Sequence, residues 1–154
     1  MIPSVVSDDL RQLPAQMVRK LILDLEAFIT SVPGVRTGDC FPLKHSWGDG
    51  VYMREIFIPA GYVFTGRIHK YMNPNFLLSG EMLVATEQHG CERIVAPAAM
   101  MAVPGEKRAV IAITDIWFAT VHANPTNCTD FAKLEDDIFA WDYGEFQRFQ
   151  EGRA

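Results

Sequence analysis

Hydrophobic residues near the start of the chain recur with the three-to-four spacing of one helix face. They are Met17, Val18, Leu21, Ile22, Leu25, Phe28 and Ile29. This spacing predicts an N-terminal helix, and Pro14 either begins that helix or separates two short ones. The helix is expected to stop at "SVPG", because Pro33 restricts the residue before it and Gly34 suits an exit turn.

From about residue 40 the pattern changes to short β-prone stretches separated by Gly, Pro, Asn and Asp. The predicted strands are 51–58, 62–68, 75–79, 81–86, 91–95, 99–103, 108–114 and 116–122. Turn signals such as "PAG", "SG" and "PG" lie between them. Short strands at this regular spacing are typical of a sandwich or barrel rather than of a parallel α/β sheet.

The end of the chain returns to a helical pattern. One apolar face is formed by Phe131, Leu134, Ile138 and Phe139. Thr129 or Asp130 can cap the start of this helix, since either side chain accepts a hydrogen bond from a free backbone N–H.

The length of 154 residues fits one globular domain over residues 1–154. The pattern divides it into an N-terminal helical segment at 1–36, a β-barrel body at 40–124 and a C-terminal helical segment at 129–150. The net charge of −5 argues against nucleic acid as a partner, because nonspecific nucleic-acid binding uses a basic face.

Cysteine usage and the absence of apolar segments point to the cytoplasm. Cys40, Cys91 and Cys128 are widely spaced and form no CxxC pair, which indicates reduced thiols. Residues 1–16 lack the basic and apolar regions of a secretion signal, and the apolar runs are too short to cross a membrane. We therefore expect a cytoplasmic protein without membrane contact.

Four histidines are candidates for chemistry. His45 and His89 lie in loop-like contexts and are predicted to be solvent or turn histidines. His69 and His122 lie at the ends of predicted strands, where a small barrel can bring them together around one opening.

A divalent ion needs at least three suitable ligands, and imidazole with carboxylate suits iron, manganese, nickel or zinc. The nearest carboxylates along the chain are Glu55 and Glu81. Alternation places Glu55 on one face of its strand and Tyr52 and Arg54 on the other, and the pattern leaves open which face is inside.

A second candidate feature is cationic. Lys107 and Arg108 follow a Pro-Gly turn, and with Arg67 and Lys70 they can line one rim of a barrel. Such a rim recognises phosphate or carboxylate. The alternative is a charged turn that keeps a hairpin soluble.

Five stretches carry a family resemblance: "DCFPLKHSWGDGVYMREIFIPAG", "GRIHKYMNPNFLLSGEMLVATEQHG", "APAAMMAVPGEKRAV", "DIWFATVHAN" and "TDFAKLEDDI". Their order resembles the two-motif layout of the cupin superfamily. Over most of its length the chain also resembles the small cupin-like proteins of tailed bacteriophages and prophages. The resemblance implies an all-β fold: a double-stranded β-helix, or jelly-roll, barrel with an N-terminal helix and a short C-terminal helix.

The resemblance also implies a set of metal-ligating positions. His69 matches the histidine of the first motif and His122 that of the second. Tyr71 replaces a second histidine, Asn73 stands where the phage proteins often carry a histidine, and Asn75 replaces a glutamate. The implied candidates are therefore His69, Asn73, Asn75 and His122, with iron, manganese, nickel or zinc as the cofactor.

Three functions follow as hypotheses. In an enzyme, a metal would polarise the substrate. The candidates for binding the substrate are Tyr52, Arg54, Glu55, Arg67, Lys107 and Arg108. In a binding module, the same barrel would hold a small anionic ligand without turnover. In a structural or host-interaction protein of a phage, the barrel would be a scaffold. The resemblance further implies a homodimer.

Overall fold

The computed structural model describes residues 13–36 and 40–154, and within these ranges the chain forms three helices and eleven strands. The helices are α1 (Ala15–Ser31), α2 (Phe131–Ile138) and α3 (Tyr143–Glu151). The strands are β1 (Leu43–Gly48), β2 (Val51–Ile58), β3 (Val63–Thr65), β4 (Ile68–His69), β5 (Asn73–Ser79), β6 (Glu81–Thr86), β7 (Gly90–Val95), β8 (Ala98–Ala102), β9 (Ala109–Ala112), β10 (Ile116–Ala123) and β11 (Phe139–Ala140).

Two antiparallel sheets form the body of the fold. One has the strand order β1-β2-β10-β5-β8, the other β3-β9-β6-β7, and β4 pairs separately with β11. Buried side chains of both sheets pack in one core, including Ile58 and Leu77 from the first and Val84 and Val110 from the second. The predicted jelly-roll class, with helices at both ends of the chain, is confirmed.

The register of the larger sheet decides which residues face the barrel interior. Cross-strand partners share a face, so the inner face carries three rows. The rows are Ile56–Phe118–Leu77, Arg54–Thr120–Asn75 and Tyr52–His122. The sheet interior is therefore apolar at one end and polar at the other, as strand alternation requires.

Helix α1 confirms the predicted N-terminal helix. The carbonyl of Pro14 accepts hydrogen bonds from the N–H groups of Met17 and Val18, so Pro14 lies at the start of α1. Val18 and Ile22 are buried against Ala109 of the smaller sheet. Residues 1–12 of the predicted helical segment lie outside the described residues. In the part of the chain that the structure describes, no helix combines the length and apolarity needed to cross a membrane.

The prediction of a loop around His45 is wrong. Leu43–Gly48 is an edge strand paired with β2, in which His45 lies opposite Arg54. Its polar and glycine-containing sequence shows no clear apolar alternation, which is why it was not predicted as a strand. The strand is stabilised by its pairing with β2 and not by a buried apolar face of its own. His89, in contrast, lies exposed in the turn before β7.

The predicted strand at 62–68 is divided into β3 and β4. Between them the backbone N–H of Gly66 donates to the carbonyl of Arg108 at 2.9 Å, and the Gly66 carbonyl accepts from Lys107 Nζ at 2.7 Å. This turn redirects the chain, so that β4 leaves the smaller sheet and pairs with β11.

The C-terminal segment is more complex than the single helix that was predicted. Asp130 is confirmed as the cap of α2, since its side chain accepts from the Lys133 N–H. Phe139 does not continue the helix face, because α2 ends at Ile138 and Phe139 belongs to β11. Asp142 then caps α3 by accepting from the Glu145 N–H at 2.7 Å.

Gly80, in the turn between β5 and β6, supports a test of this packing. Its φ is +87°, and a Cβ there would overlap the backbone oxygen of Asp115. Gly61 has a similar φ of +85° but open space around it. We expect Gly61→Ala to cost about 1 kcal/mol of unfolding free energy through left-handed strain alone. We expect Gly80→Ala to cost at least about 3 kcal/mol, since backbone must also move. Urea unfolding measures both, and equal losses would contradict the close approach.

Candidate functional site

The barrel interior contains a cavity of about 920 Å³, called here the barrel cavity. Its walls come from both sheets, and the end of α1 with the following residues 34–36 lines one side. The apolar part of the wall consists of Ile56, Phe64, Met82, Val84, Val110, Ile116 and Phe118.

The charged part of the wall is cationic. Among its described residues are the cations Arg36, Arg54, Arg67, Lys107 and Arg108. Three carboxylates, Glu26, Glu106 and Glu135, pair with four of these cations, which leaves a smaller local excess of positive charge. The chain is acidic overall, so this excess of positive charge is local to the cavity.

Lys107 joins the cavity wall to the N-terminal helix. Its Nζ is buried, donates to the Gly66 carbonyl at 2.7 Å and lies 2.8 Å from Glu26 Oε1. Glu26 Oε1 also accepts from Thr65 Oγ1 at 2.9 Å. A cation and a carboxylate thereby attach α1 to β3 at the edge of the cavity.

Two guanidinium groups share one carboxylate from α2. Glu135 Oε2 lies 3.3 Å from Arg67 Nη1, and its Oε1 lies 3.6 Å from Arg54 Nη1. Glu135 Oε1 is buried and makes no hydrogen bond within the described part of the chain. Arg108 is paired more closely, since its Nε donates to Glu106 Oε1 at 2.5 Å and both residues are buried.

His69 begins a chain of buried polar side chains. His69 Nδ1 lies 2.7 Å from Asn73 Oδ1, and Asn73 Nδ2 donates to Asn75 Oδ1 at 3.0 Å. Because an amide oxygen only accepts, the His69 Nδ1 carries the proton and donates it to Asn73. The Nε2 of His69 therefore keeps its lone pair, and His69 lines the barrel cavity.

His122 lies beside His69 in a stack of rings. Its centroid is 6.1 Å from that of His69 and 6.0 Å from that of Tyr52, with interplanar angles of 26° and 24°. Phe139 meets both imidazoles edge-on. His122 Nε2 lies 3.1 Å from Thr120 Oγ1. The two imidazoles thus form part of a packed wall.

Both imidazoles are neutral at neutral pH. Burial, with the nearby Arg108 and His122, lowers the pKa of His69 to about 3. Burial and the charge of Arg54 lower the pKa of His122 to about 4. Burial removes the hydration of an imidazolium, and a neighbouring guanidinium repels its charge. Both effects favour the neutral imidazole, so both pKa values fall.

The donors present do not fit a tightly held divalent metal. Residues 13–36 and 40–154 contain no cluster of three or more His, Cys, Asp or Glu side chains able to hold an ion. The amide oxygens of Asn73 and Asn75 already accept hydrogen bonds. The charges of Arg54 and Arg108, which lower the pKa values of the imidazoles, also oppose a cation there.

The structure brings most of the predicted site residues together. Arg54, Arg67, His69, Lys107 and Arg108 line the barrel cavity. Tyr52, Asn73, Asn75 and His122 are buried in the polar rows beside it. The wall therefore combines the predicted cations with the predicted histidine-asparagine set.

Glu55 and Lys70 lie elsewhere. Glu55 is on the opposite face of β2, where its carboxylate accepts from Trp117 Nε1 at 3.2 Å and pairs with Lys44 at 3.2 Å. Lys70 turns toward the C-terminal helices, donating to the Asp136 carbonyl and pairing with Glu145. Strand alternation separates Glu55 from Arg54, as the sequence showed.

Aromatic residues of the cavity were not predicted as site residues. They are Phe41, Tyr62, Phe64, Phe118, Phe139 and Trp141. Phe118 carries a usable signal, because it alternates with Thr120 and His122 on one strand. Trp141 carries none, since it reaches the cavity only through the pairing of β11 with β4.

Comparison with known proteins identifies the fold. No protein-family model and no curated protein matches the chain. Ectoine synthase from P. lautus superposes with a TM-score of 0.53 at 13% identity, covering 76% of this chain and 88% of that one. An RmlC-like cupin with a double-stranded β-helix fold from Methanocaldococcus jannaschii has a TM-score of 0.44 at 15% identity, covering 59% and 89%. The fold is a cupin-like jelly roll.

A further match is the DMSP lyase DddQ from Ruegeria pomeroyi DSS-3, with a TM-score of 0.48 and 22% identity. That match covers 57% of this chain and 50% of the lyase. At these identities the comparisons show the fold alone.

The buried histidines predict an acid-sensitive fold. Their pKa values fall from 6.5 in the unfolded chain to about 3 and about 4. Below pH 6.5 the histidines of the unfolded state bind protons, whereas those of the folded state stay neutral. The free energy of unfolding therefore falls as the pH is lowered, until the pKa values of the folded state are reached. Each histidine is expected to cost about 2 kcal/mol between pH 7 and pH 5.

Urea unfolding at pH 7 and pH 5 measures this loss. His122→Asn removes one titrating ring and should reduce the difference between the two pH values by about 2 kcal/mol. His89→Gln, in an exposed turn, is the matched control and should leave it unchanged. An unchanged difference in His122→Asn would show that this imidazole is not buried in its neutral form.

Proposed function

We propose that this protein binds a small anionic ligand with an apolar portion inside the barrel cavity. The observation that carries the proposal is the composition of the cavity wall, in which an apolar surface adjoins a group of cations. A volume of about 920 Å³ lies within the range of small-molecule sites.

The cations are held in fixed positions. Glu135 lies between Arg54 and Arg67, Glu106 holds Arg108, and Glu26 holds Lys107. Guanidinium groups oriented in this way recognise carboxylate or phosphate through paired hydrogen bonds. The proposal uses the two histidines as neutral polar parts of the wall, without a metal, since their surroundings do not fit a cation.

The resemblance to phage cupin-like proteins provides the setting we propose. A binding protein without turnover can lower the free concentration of a small molecule in an infected cell. This role rests on the sequence resemblance, whereas the anionic chemistry of the ligand rests on the cavity.

Arg67 is the best position for a test, because its side chain is partly exposed and its loss need not disturb the core. We expect Arg67→Gln to weaken binding of small anions about tenfold, the loss of a charge-assisted contact. Lys44→Gln removes an exposed cation on the outer side of the barrel and is the matched control.

Calorimetric titration with ribose 5-phosphate and with benzoate measures the effect. Wild type and Lys44→Gln should bind equally, and their affinity should fall as salt is raised. Equal affinities for wild type and Arg67→Gln would contradict anion binding at this site.

A structural role is favoured by a different observation, the outer face of the larger sheet. Its outward residues, called here the outer sheet face, are Met53, Phe57, Pro74, Phe76, Leu78, Ala99, Met101, Trp117 and Val121. An antiparallel sheet with one face in water normally alternates apolar and polar residues. Here the outward residues are mostly apolar, apart from the pair Lys44 and Glu55, which indicates that the outer sheet face is covered by another surface.

We propose that a second copy of the chain covers it. Five strands spaced about 4.8 Å apart give a face roughly 24 Å wide, enough for an interface of standard size. Lys44 and Glu55 lie side by side on this face, and the buried Glu55 Oε2 makes no hydrogen bond within the described residues. A twofold axis would place Lys44 of each copy near Glu55 of the other.

Introducing a charge on this face tests the pairing. Met101→Glu should convert a dimer to a monomer, because an unpaired carboxylate would be buried between the copies. Val95→Glu is the control, since Val95 is also exposed but belongs to the smaller sheet. Sedimentation velocity distinguishes the species, and a monomeric wild type at micromolar concentration would contradict the proposal.

A further inference from the structure

The aromatic residues of the barrel cavity specify the ligand further, in an inference that rests on the proposed function. We propose that the ligand is an aromatic anion, with a flat ring that stacks on Trp141 and an anionic group held by the neighbouring cations. Nucleoside monophosphates and aryl carboxylates share this chemistry.

Trp141 is not explained by packing. It lines the cavity with 64% of its surface exposed, and Tyr62 on the same wall is 40% exposed. Large aromatic side chains contribute to a fold through the surface they bury, so an indole that is mostly exposed contributes little to the core. At a cavity wall, the exposed part of the ring is a surface on which another ring can stack.

The position of Trp141 is nevertheless well determined. It directly follows β11, in which Ala140 pairs with Ile68 of β4. Its backbone N–H donates to Glu145 Oε2 at 2.9 Å. The Arg67 guanidinium lies over one face of the ring, 4.0 Å from the centroid, and most of the side chain stays exposed. A ring held in this way loses little freedom when a ligand stacks on it, and preorganisation of this kind raises affinity.

Arg67 connects the ring to the charge. Its guanidinium contacts the Trp141 ring and lies 3.3 Å from Glu135 Oε2. An anion within the cavity would therefore meet a cation that already lies against the stacking surface. A ligand with both a ring and an anionic group can stack on Trp141 and pair with Arg67 at the same time. A ligand with only one of these groups makes only one of the two contacts.

Two matched pairs of probes separate ring from charge. Adenosine 5′-monophosphate is compared with ribose 5-phosphate, and benzoate with cyclohexanecarboxylate. We expect calorimetry to show the aromatic member of at least one pair binding tenfold or more tightly than its partner, with quenching of tryptophan fluorescence.

Variants assign that preference to Trp141. Trp141→Ala should abolish the advantage of the aromatic probe over its non-aromatic partner. Trp47→Ala removes an exposed tryptophan of the edge strand β1 that does not line the barrel cavity, and it should leave this advantage unchanged. Because Trp141 is largely exposed, the variant should melt close to wild type, and this is checked first.

The outcomes distinguish this inference from the proposed function. Equal binding within both pairs, or an aromatic preference that survives Trp141→Ala, would overturn the aromatic inference and leave anion binding through Arg67 intact. Failure of all four probes to bind would overturn both.

Discussion

The backbone of His69 is the junction on which the site depends. Its N–H donates to the Glu106 carbonyl at 3.1 Å, its carbonyl accepts from the Gly105 N–H at 2.8 Å, and it pairs with Phe139 across β4 and β11. The backbone of His69 therefore connects β4 with the turn before β9 and with the C-terminal segment. The same pairing brings Phe139 onto the two imidazoles and carries Trp141 to the cavity. Backbone hydrogen bonds thus place side chains that lie about seventy residues apart in the sequence.

Local patterns predicted the parts of this arrangement that depend on alternation. The strands at 51–58 and 116–122 follow from a period of two and were found. The edge strand β1 and the two-residue strand β11 were missed, because both exist through long-range pairing. The sequence could not predict which face of β2 points into the barrel. Alternation separated Glu55 from Arg54, but the choice of the inner face depends on packing against the opposite sheet.

Two of the charge pairs at the cavity join different elements of the fold. Lys107 meets Glu26 of α1, and Arg67 meets Glu135 of α2. These carboxylates lower the cost of burying the cations in the free protein. A ligand anion must then compete with an internal carboxylate, so weak or poorly shaped anions gain little. The pairs therefore support selectivity as well as stability, and they join both terminal segments to the barrel.

The same arginines account for two properties of the wall. Arg108 and Arg54 help to keep His69 and His122 neutral, and their positive potential acts on any ion that enters. A potential that disfavours an imidazolium disfavours a metal cation more strongly, because the cation carries twice the charge, and it favours an anion. Asn73 and Asn75 are uncharged and hydrogen-bond with His69 and with each other, so they do not oppose this positive potential. The neutral histidine-asparagine set and the cationic, aromatic-lined cavity beside it are therefore parts of one electrostatic arrangement.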